Sequence, residues 1–367
     1  MKIALIGTRG VPANYGGFET CVEELGKRLV ERGHSVTVYC RKNSYNERPP
    51  QYLGMDLIYL PSFRLKVFET LSHTTLSMFH AITQSYNILM VFNAANSPTL
   101  LIPRMVGKKI AINTDGLEWK RGKWGKWGRR YYKIAEWLST KLADRLVSDS
   151  RAIQNYYRKT YGAESTYIAY GAYIATSQKP KLLEKYGLQQ NEYFLQITRF
   201  EPENNPLLTI QAYRKLQTDK KLVLIGGVPY PSLYAKQIIT SSDKDIILPG
   251  FIYDKEMINE LWCNCFAYIH GNEVGGTNPA LLQSMASSAF TIAVDVDFNR
   301  DVLDDGGIFY EKTVDSLVGK MKWALDNGML LDDYRKRAVN SIHSYYSWDQ
   351  VAEQYESLFA ELSKGSK

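Results

Sequence analysis

The residues best suited to chemistry lie in four short runs, two of them rich in glycine and each of those leading into a helical pattern. The first is Gly7-Thr8-Arg9-Gly10-Val11-Pro12-Ala13-Asn14-Tyr15-Gly16-Gly17-Phe18-Glu19-Thr20. A strand-to-helix turn of this composition offers bare backbone N–H groups and the positive start of a helix to an anion, with Arg9 as a further cation. A purely structural turn uses the same glycines. The dinucleotide fingerprint is excluded, because it needs a third glycine at fixed spacing and an acidic residue after the second strand, where this chain has Cys40-Arg41-Lys42. The last run, Gly271-Asn272-Glu273-Val274-Gly275-Gly276-Thr277-Asn278-Pro279-Ala280, repeats the same phosphate-cradle logic with a hydroxyl and an amide added.

Between them, Asn113-Thr114-Asp115-Gly116-Leu117-Glu118 places two carboxylates after a strand, where Asp115 or Glu118 can orient a sugar hydroxyl or accept its proton. Arg199-Phe200-Glu201-Pro202-Glu203-Asn204-Asn205-Pro206 puts a guanidinium after another strand, with bidentate reach to a diphosphate. Metal chemistry is not expected. His34, His73, His80, His270 and His343 lack ligand spacing, and Asp295-Val296-Asp297 follows a strand well past the second glycine run. Cys21, Cys40, Cys263 and Cys265 are too few for a disulfide framework, and Cys263-x-Cys265 is expected to put two buried thiols on one face of a strand.

These runs need elements to hold them. Lys2–Gly7, Ser35–Cys40, Met55–Leu60, Asn87–Phe92, Lys109–Asn113 and Arg145–Ser148 read as strands, alternating with helical spacing over Gly17–Arg32, Lys66–Gln84, Arg130–Ala143 and Arg151–Tyr161. A second series has strands at Tyr193–Thr198, Lys221–Gly226, Asp245–Leu248, Phe266–His270, Thr291–Val294 and Gly307–Phe309. Its helices are Pro206–Leu216, Ser232–Thr240, Asp254–Trp262 and Pro279–Ala286. Alternation of this kind predicts an α/β chain of two Rossmann-like, doubly wound domains, 1–174 and 175–346, facing a central cleft, with a final helix in 347–367 carrying Val351, Tyr355, Leu358 and Leu362 as its apolar stripe. Ligands of such sheets sit beyond the carboxyl ends of the strands, which is where all four runs fall.

The 367 residues carry a net charge of +7, unevenly spread. Residues 1–175 hold 25 Lys+Arg against 13 Asp+Glu, or +12, and the remainder 20 against 25, or −5. The excess is densest at Trp119–Lys133, where Lys120, Arg121, Lys123, Lys126, Arg129, Arg130 and Lys133 interleave with Trp119, Trp124, Trp127, Tyr131 and Tyr132. Such a segment suits an anionic headgroup region, and a solvated loop is the plainer reading. No stretch approaches the ~20 apolar residues of a membrane span and the N-terminus turns too early for a signal peptide, so a cytoplasmic protein, peripheral on the inner face of the plasma membrane, is expected.

Taken together, Arg9–Glu19, Arg199-x-Glu201-Pro202-Glu203, Glu273-Val-Gly-Gly-Thr277-Asn278-Pro279 and Gln283-Ser-Met285-Ala resemble family 4 of the retaining glycosyltransferases, of GT-B fold. The match is nearest to the bacterial β1,4-rhamnosyltransferase-like branch of capsule and cell-wall polysaccharide synthesis. The resemblance implies metal-independent, retaining transfer of a sugar, rhamnose from dTDP-rhamnose in that branch, from a nucleoside diphosphate sugar to a polyprenyl diphosphate-linked saccharide. It implies a donor domain at the C-terminal side, an acceptor domain at the N-terminal side and a last helix returning to the latter. Together with the reading of the runs themselves, it gives Arg199, Glu273, Asp115 and Glu118 to catalysis and Arg9, Gly16, Gly17, Arg199, Asn204, Gly275, Gly276, Thr277, Asn278 and Gln283 to the donor diphosphate and nucleotide. Tyr15, Trp119, Lys123, Trp124, Lys126, Trp127, Arg129 and Arg130 fall to the acceptor and membrane side. Two departures stand out: Asn204 replaces a lysine that the family pairs with its arginine, and the family's two glutamates eight positions apart become Gly275 and Gln283. Gln283 is compatible with a deoxyribose nucleotide. The competing readings are a nucleotide-sugar epimerase, which has no need of the basic aromatic segment, and a nucleic-acid-binding protein, disfavoured because the cations sit in no recognised reading module.

Overall fold

The computed structural model describes residues 1–13, 16–63, 69–114, 116–121, 124–228 and 232–365. Asp115, Tyr15 and Lys123 therefore lie outside the described residues. The chain divides into one unit of residues 1–170 and 348–367 and a second of residues 171–347.

In the first unit the elements run β1 (Lys2–Ile6), α1 (Gly17–Glu31), β2 (Ser35–Arg41), β3 (Gln51–Tyr52), β4 (Met55–Leu60), α2 (Glu69–Ile82), β5 (Ile88–Phe92), α3 (Leu101–Met105), β6 (Lys109–Asn113), α4 (Lys126–Leu142), β7 (Arg145–Ser148), α5 (Arg151–Tyr161) and β8 (Thr166–Tyr167). The strands order as β3-β4-β2-β1-β5-β6-β7-β8, all parallel except the short β3. Residues Ile88–Phe92 are all buried, as a strand covered by helices on both faces requires.

The second unit continues with β9 (Tyr193–Arg199), α6 (Pro206–Lys215), β10 (Lys221–Gly227), α7 (Leu233–Ile239), β11 (Ile246–Gly250), α8 (Lys255–Cys263), β12 (Ala267–His270), α9 (Pro279–Ala286), β13 (Thr291–Val294), α10 (Asp297–Leu303), β14 (Gly307–Tyr310), α11 (Val314–Asp326) and α12 (Leu331–Tyr345). Its order is β11-β10-β9-β12-β13-β14, parallel throughout. Alternate residues feed two cores: Phe194, Leu222, Leu224 and Ile269 on one face of the sheet, Tyr193, Leu195, Val223 and Tyr268 on the other.

The final helix, α13 (Trp348–Lys364), belongs to the first unit. Val351, Tyr355, Leu358 and Leu362 are buried, the Asn113 amide donates to the Tyr355 hydroxyl at 3.1 Å, and ion pairs Arg28–Asp349 at 2.7 Å and Arg32–Glu356 at 3.0 Å fix it along α1.

Three expectations change. Cys263 closes α8 and Cys265 precedes β12, with its Sγ against the Trp262 carbonyl at 3.3 Å, so the two thiols share no strand face; burial pushes the Cys265 thiol up to about 12. Helix α4 starts at Lys126, four residues before the expected Arg130, so much of the basic segment is helix rather than loop. Helices α10, α11 and α12 fill residues to which no element was assigned.

Candidate functional site

Among the parallel strands of each sheet the order reverses once, between β1 and β5 in the first unit and between β9 and β12 in the second, and a ligand crevice opens beyond the carboxyl ends at such a point. The glycine runs follow β1 and β12, and Arg199 ends β9. In the second unit the sequence-selected residues Arg199, Asn204, Glu273, Gly275, Gly276, Thr277 and Asn278 thus gather around one switch point.

That site is built from close backbone packing. Gly271 lies so near the Asn204 carbonyl that a Cβ would collide with it, and the Asn205 amide donates to the Gly271 carbonyl at 2.8 Å. The Thr198 hydroxyl donates to the Asn272 side-chain oxygen at 2.9 Å, and the Asn299 amide to the Asn272 carbonyl at 3.0 Å. Held from both sides, the loop turns into α9 with Asn278 as N-cap, its side chain accepting the Ala280 N–H at 3.0 Å, and with Pro279 in the first turn. No acidic residue stands in that first turn. The N–H groups of Val274, Gly275 and Gly276 make no hydrogen bond among the described residues. The exposed Arg199 side chain likewise has no hydrogen-bond or ion-pair partner among them. His270, immediately before the loop, is fully buried, and desolvation holds it down to about 3, so it stays neutral.

Other residues take more structural places. Asn204 is buried and donates its amide to the Arg199 carbonyl at 3.0 Å, closing the turn that carries Arg199. Gln283, on α9, donates to the Ser287 hydroxyl at 3.1 Å. Asp295 is taken by Arg300 at 2.6 Å, which pulls its carboxyl below the usual range. Beside Arg199, a cavity of about 510 Å³ opens between Phe200, Gly227, Val228, Lys236, Leu248 and Phe251.

The glycine run after β1 differs. Gly7, at φ +102°, allows close approach to the Phe92 carbonyl, where a Cβ would stand 2.5 Å away. Its helix, however, brings its own carboxylates: Glu19 accepts the Arg9 N–H at 3.1 Å and Glu23 the Ala13 N–H at 2.7 Å. The two glutamates thus occupy the Arg9 and Ala13 N–H groups and set two carboxylates beside the start of α1, where Gly16 and Gly17 were expected to face a phosphate. Glu118 is buried, ion-paired with Arg121 and accepting the Trp124 indole N–H at 3.3 Å, so its carboxylate already has partners.

Along α4, Ala135, Glu136 and Ser139 face inward, with Glu136 accepting from the Tyr156 and Tyr161 hydroxyls at 2.9 and 2.8 Å. The opposite face exposes Lys126, Trp127, Arg129, Arg130, Lys133, Ile134 and Trp137. Trp119 and Trp124 are turned partly inward, Trp119 beneath the Lys133 ammonium at 4.5 Å and Trp124 against Tyr132 at 5.0 Å. Ile134 and Trp137 belong to none of the four motif runs, yet their spacing of seven and ten residues after Trp127 puts them on one helical face with it. Lys312, which reaches Glu273, had no motif to reveal it.

Residues 178–341 match the family of glycosyl transferases group 1, and residues 1–173 match a family described as a domain of unknown function, DUF1972. The chain is 28% identical over 178 residues, 47% of each chain, to an N-acetylgalactosamine-N,N'-diacetylbacillosaminyl-diphospho-undecaprenol 4-alpha-N-acetylgalactosaminyltransferase of Campylobacter jejuni. A shorter stretch of 61 residues, 17% of this chain and 16% of the relative, is 38% identical to an uncharacterized 42.6 kDa protein in the cps region of Klebsiella pneumoniae. The chain thus spans less than half the length of either relative. Among solved structures, HepE of Anabaena in complex with UDP-glucose superposes with a TM-score of 0.79 at 13% identity, over 98% of this chain and 100% of that one. The superposition gives the chain the GT-B fold, and within it residues 178–341 carry the match to glycosyl transferases group 1.

Proposed function

We propose that this chain transfers a sugar from a nucleoside diphosphate sugar to a polyprenyl diphosphate-linked saccharide at an anionic membrane surface, during synthesis of a bacterial surface polysaccharide. The observation that carries this reading is the β9–β12 switch point, where among the described residues three backbone N–H groups and the Arg199 side chain have no partner and the helix start carries no acid. Breaking an anomeric C–O bond leaves negative charge on a diphosphate and an oxocarbenium-like sugar, and preorganised donors at the diphosphate lower that barrier. Arg199 and the start of α9 take this part, with Thr277 and Asn278 alongside, Glu273 facing the donor and the cavity beside Phe200 receiving the nucleoside. Retention and metal independence are the stereochemistry and cofactor state proposed, and dTDP-rhamnose the donor. The Campylobacter relative's name, with its diphospho-undecaprenol, supports the acceptor class, and the UDP-glucose in HepE supports the donor class.

Docking is assigned to α4. Its first five residues hold Lys126, Arg129 and Arg130 and no acid, a placement that opposes the helix dipole. A local rule broken at an exposed site is expected where a partner compensates, and Trp127, at 82% exposed, with Ile134 and Trp137 gives the same face an apolar surface to lay into headgroups. Among the described residues no helix is long and apolar enough to cross a membrane.

The test is a panel of nucleoside diphosphate sugars offered with a polyprenyl diphosphate mono- or disaccharide, before and after exhaustive EDTA treatment. Transfer that survives chelation, with retention at the anomeric carbon, is expected. Epimerisation of the donor without transfer would overturn the reading, and loss of transfer restored by magnesium or manganese would overturn its metal-independent part.

A further inference from the structure

We infer that Lys312 is a second diphosphate-binding cation of the donor site, held ready for the ligand by Glu273. This rests on the donor-site reading above and adds to it a residue that no motif indicated. Lys312 lies two residues beyond β14 and just before Thr313, the N-cap of α11. β14 is two strands from β12 in the sheet, on the side away from β9. From there its ammonium ion-pairs with Glu273, a residue of the glycine loop itself. The loop is thereby flanked by cations from both directions, Arg199 from the β9 side and Lys312 from the β14 side.

The carboxylate is better anchored than the ammonium. Glu273 is 20% exposed at the side chain, its N–H donates to the Glu203 carbonyl at 3.1 Å, and the Asn205 amide approaches its Oε1 at 3.4 Å. Lys312 is 52% exposed, and Glu273 is its only hydrogen-bond or ion-pair partner among the described residues. An exposed pair of this kind contributes little to stability. An ammonium has three donors and no fixed plane, so Lys312 can keep Glu273 and turn a second N–H toward a phosphate oxygen seated on the Val274–Gly276 N–H groups. Glu273 then acts as a positioning residue that keeps the lysine over the loop instead of in solvent.

The experiment measures dissociation constants for UDP, dTDP, GDP and ADP, and for the parent nucleoside of whichever binds most tightly, with the full chain. Lys312→Met should weaken that nucleoside diphosphate by roughly tenfold, the worth of one charge-assisted hydrogen bond, and leave the nucleoside unchanged. Lys312→Arg should restore most of the loss, and Lys312→Gln should repeat it if the methionine variant folds poorly. Wild-type diphosphate affinity in Lys312→Met and Lys312→Gln, or equal weakening of diphosphate and nucleoside, would overturn the inference. A wild-type chain that binds none of the four diphosphates would instead overturn the donor-site reading on which it stands.

Discussion

The two glycine-rich turns look alike as strings and differ as sites. Both follow a strand at the reversal of a parallel sheet and both lead into a helix. After β1, Glu19 and Glu23 of α1 fold back onto the Arg9 and Ala13 N–H groups. After β12, α9 begins Pro279-Ala280-Leu281-Leu282, and no carboxylate of its own reaches the Val274, Gly275 or Gly276 N–H. An acid in the first two turns of the helix that follows supplies an anion internally and competes with a phosphate for the turn, and only the turn after β1 has one.

The comparison can be broken most forcefully at Arg199. Arg199→Ala should lower kcat/KM for transfer by roughly 10² or more, because a charged donor aimed at developing charge is worth several kcal/mol. Steady-state kinetics with the preferred donor checks this, and a variant within a few-fold of wild type would move the chemistry elsewhere.

A smaller effect is expected at α4. Replacing Lys126, Arg129 and Arg130 together by Gln should remove most sedimentation with anionic vesicles, since each cation near the surface contributes about 1 kcal/mol before screening over a Debye length of ~8 Å. Activity on a short, detergent-soluble acceptor should stay near normal. Undiminished vesicle binding would return this face to an ordinary solvated helix.

The smallest effect sharpens the contrast itself. Glu19→Gln replaces a charge-assisted bond to the Arg9 N–H by a neutral one at a buried position, and should cost about 1–2 kcal/mol in thermal or denaturant unfolding while leaving nucleoside diphosphate affinity untouched.

Much of the fold was legible because parallel strands announce themselves as short apolar runs: β4, β6, β7 and β13, and helices α5 and α9, match their expected bounds. Helices α11 and α12 could have been read. Leu317, Met321 and Ala324 repeat at helical spacing, as do Leu331, Ala338 and Ile342, but no chemistry-bearing motif drew attention to them. Strand β3, two residues long, gives no periodicity at all. For the site, residue types and their place after strands were enough to select Arg199 and the Gly271–Asn278 loop. Hydrogen bonding was not legible. That Glu19 caps the first loop, that Asn204 is spent on the Arg199 carbonyl and that Lys312 crosses 39 residues of chain to Glu273 are facts of three-dimensional packing.

The central claim, that the donor diphosphate is held by the loop after β12 and not by the one after β1, is tested most directly by nucleoside diphosphate binding to two variants measured side by side by titration calorimetry. Arg199→Ala is predicted to raise the dissociation constant by roughly tenfold or more, and Arg9→Ala to change it by less than about twofold. The opposite ranking, with Arg9→Ala weakened and Arg199→Ala unaffected, would contradict the account.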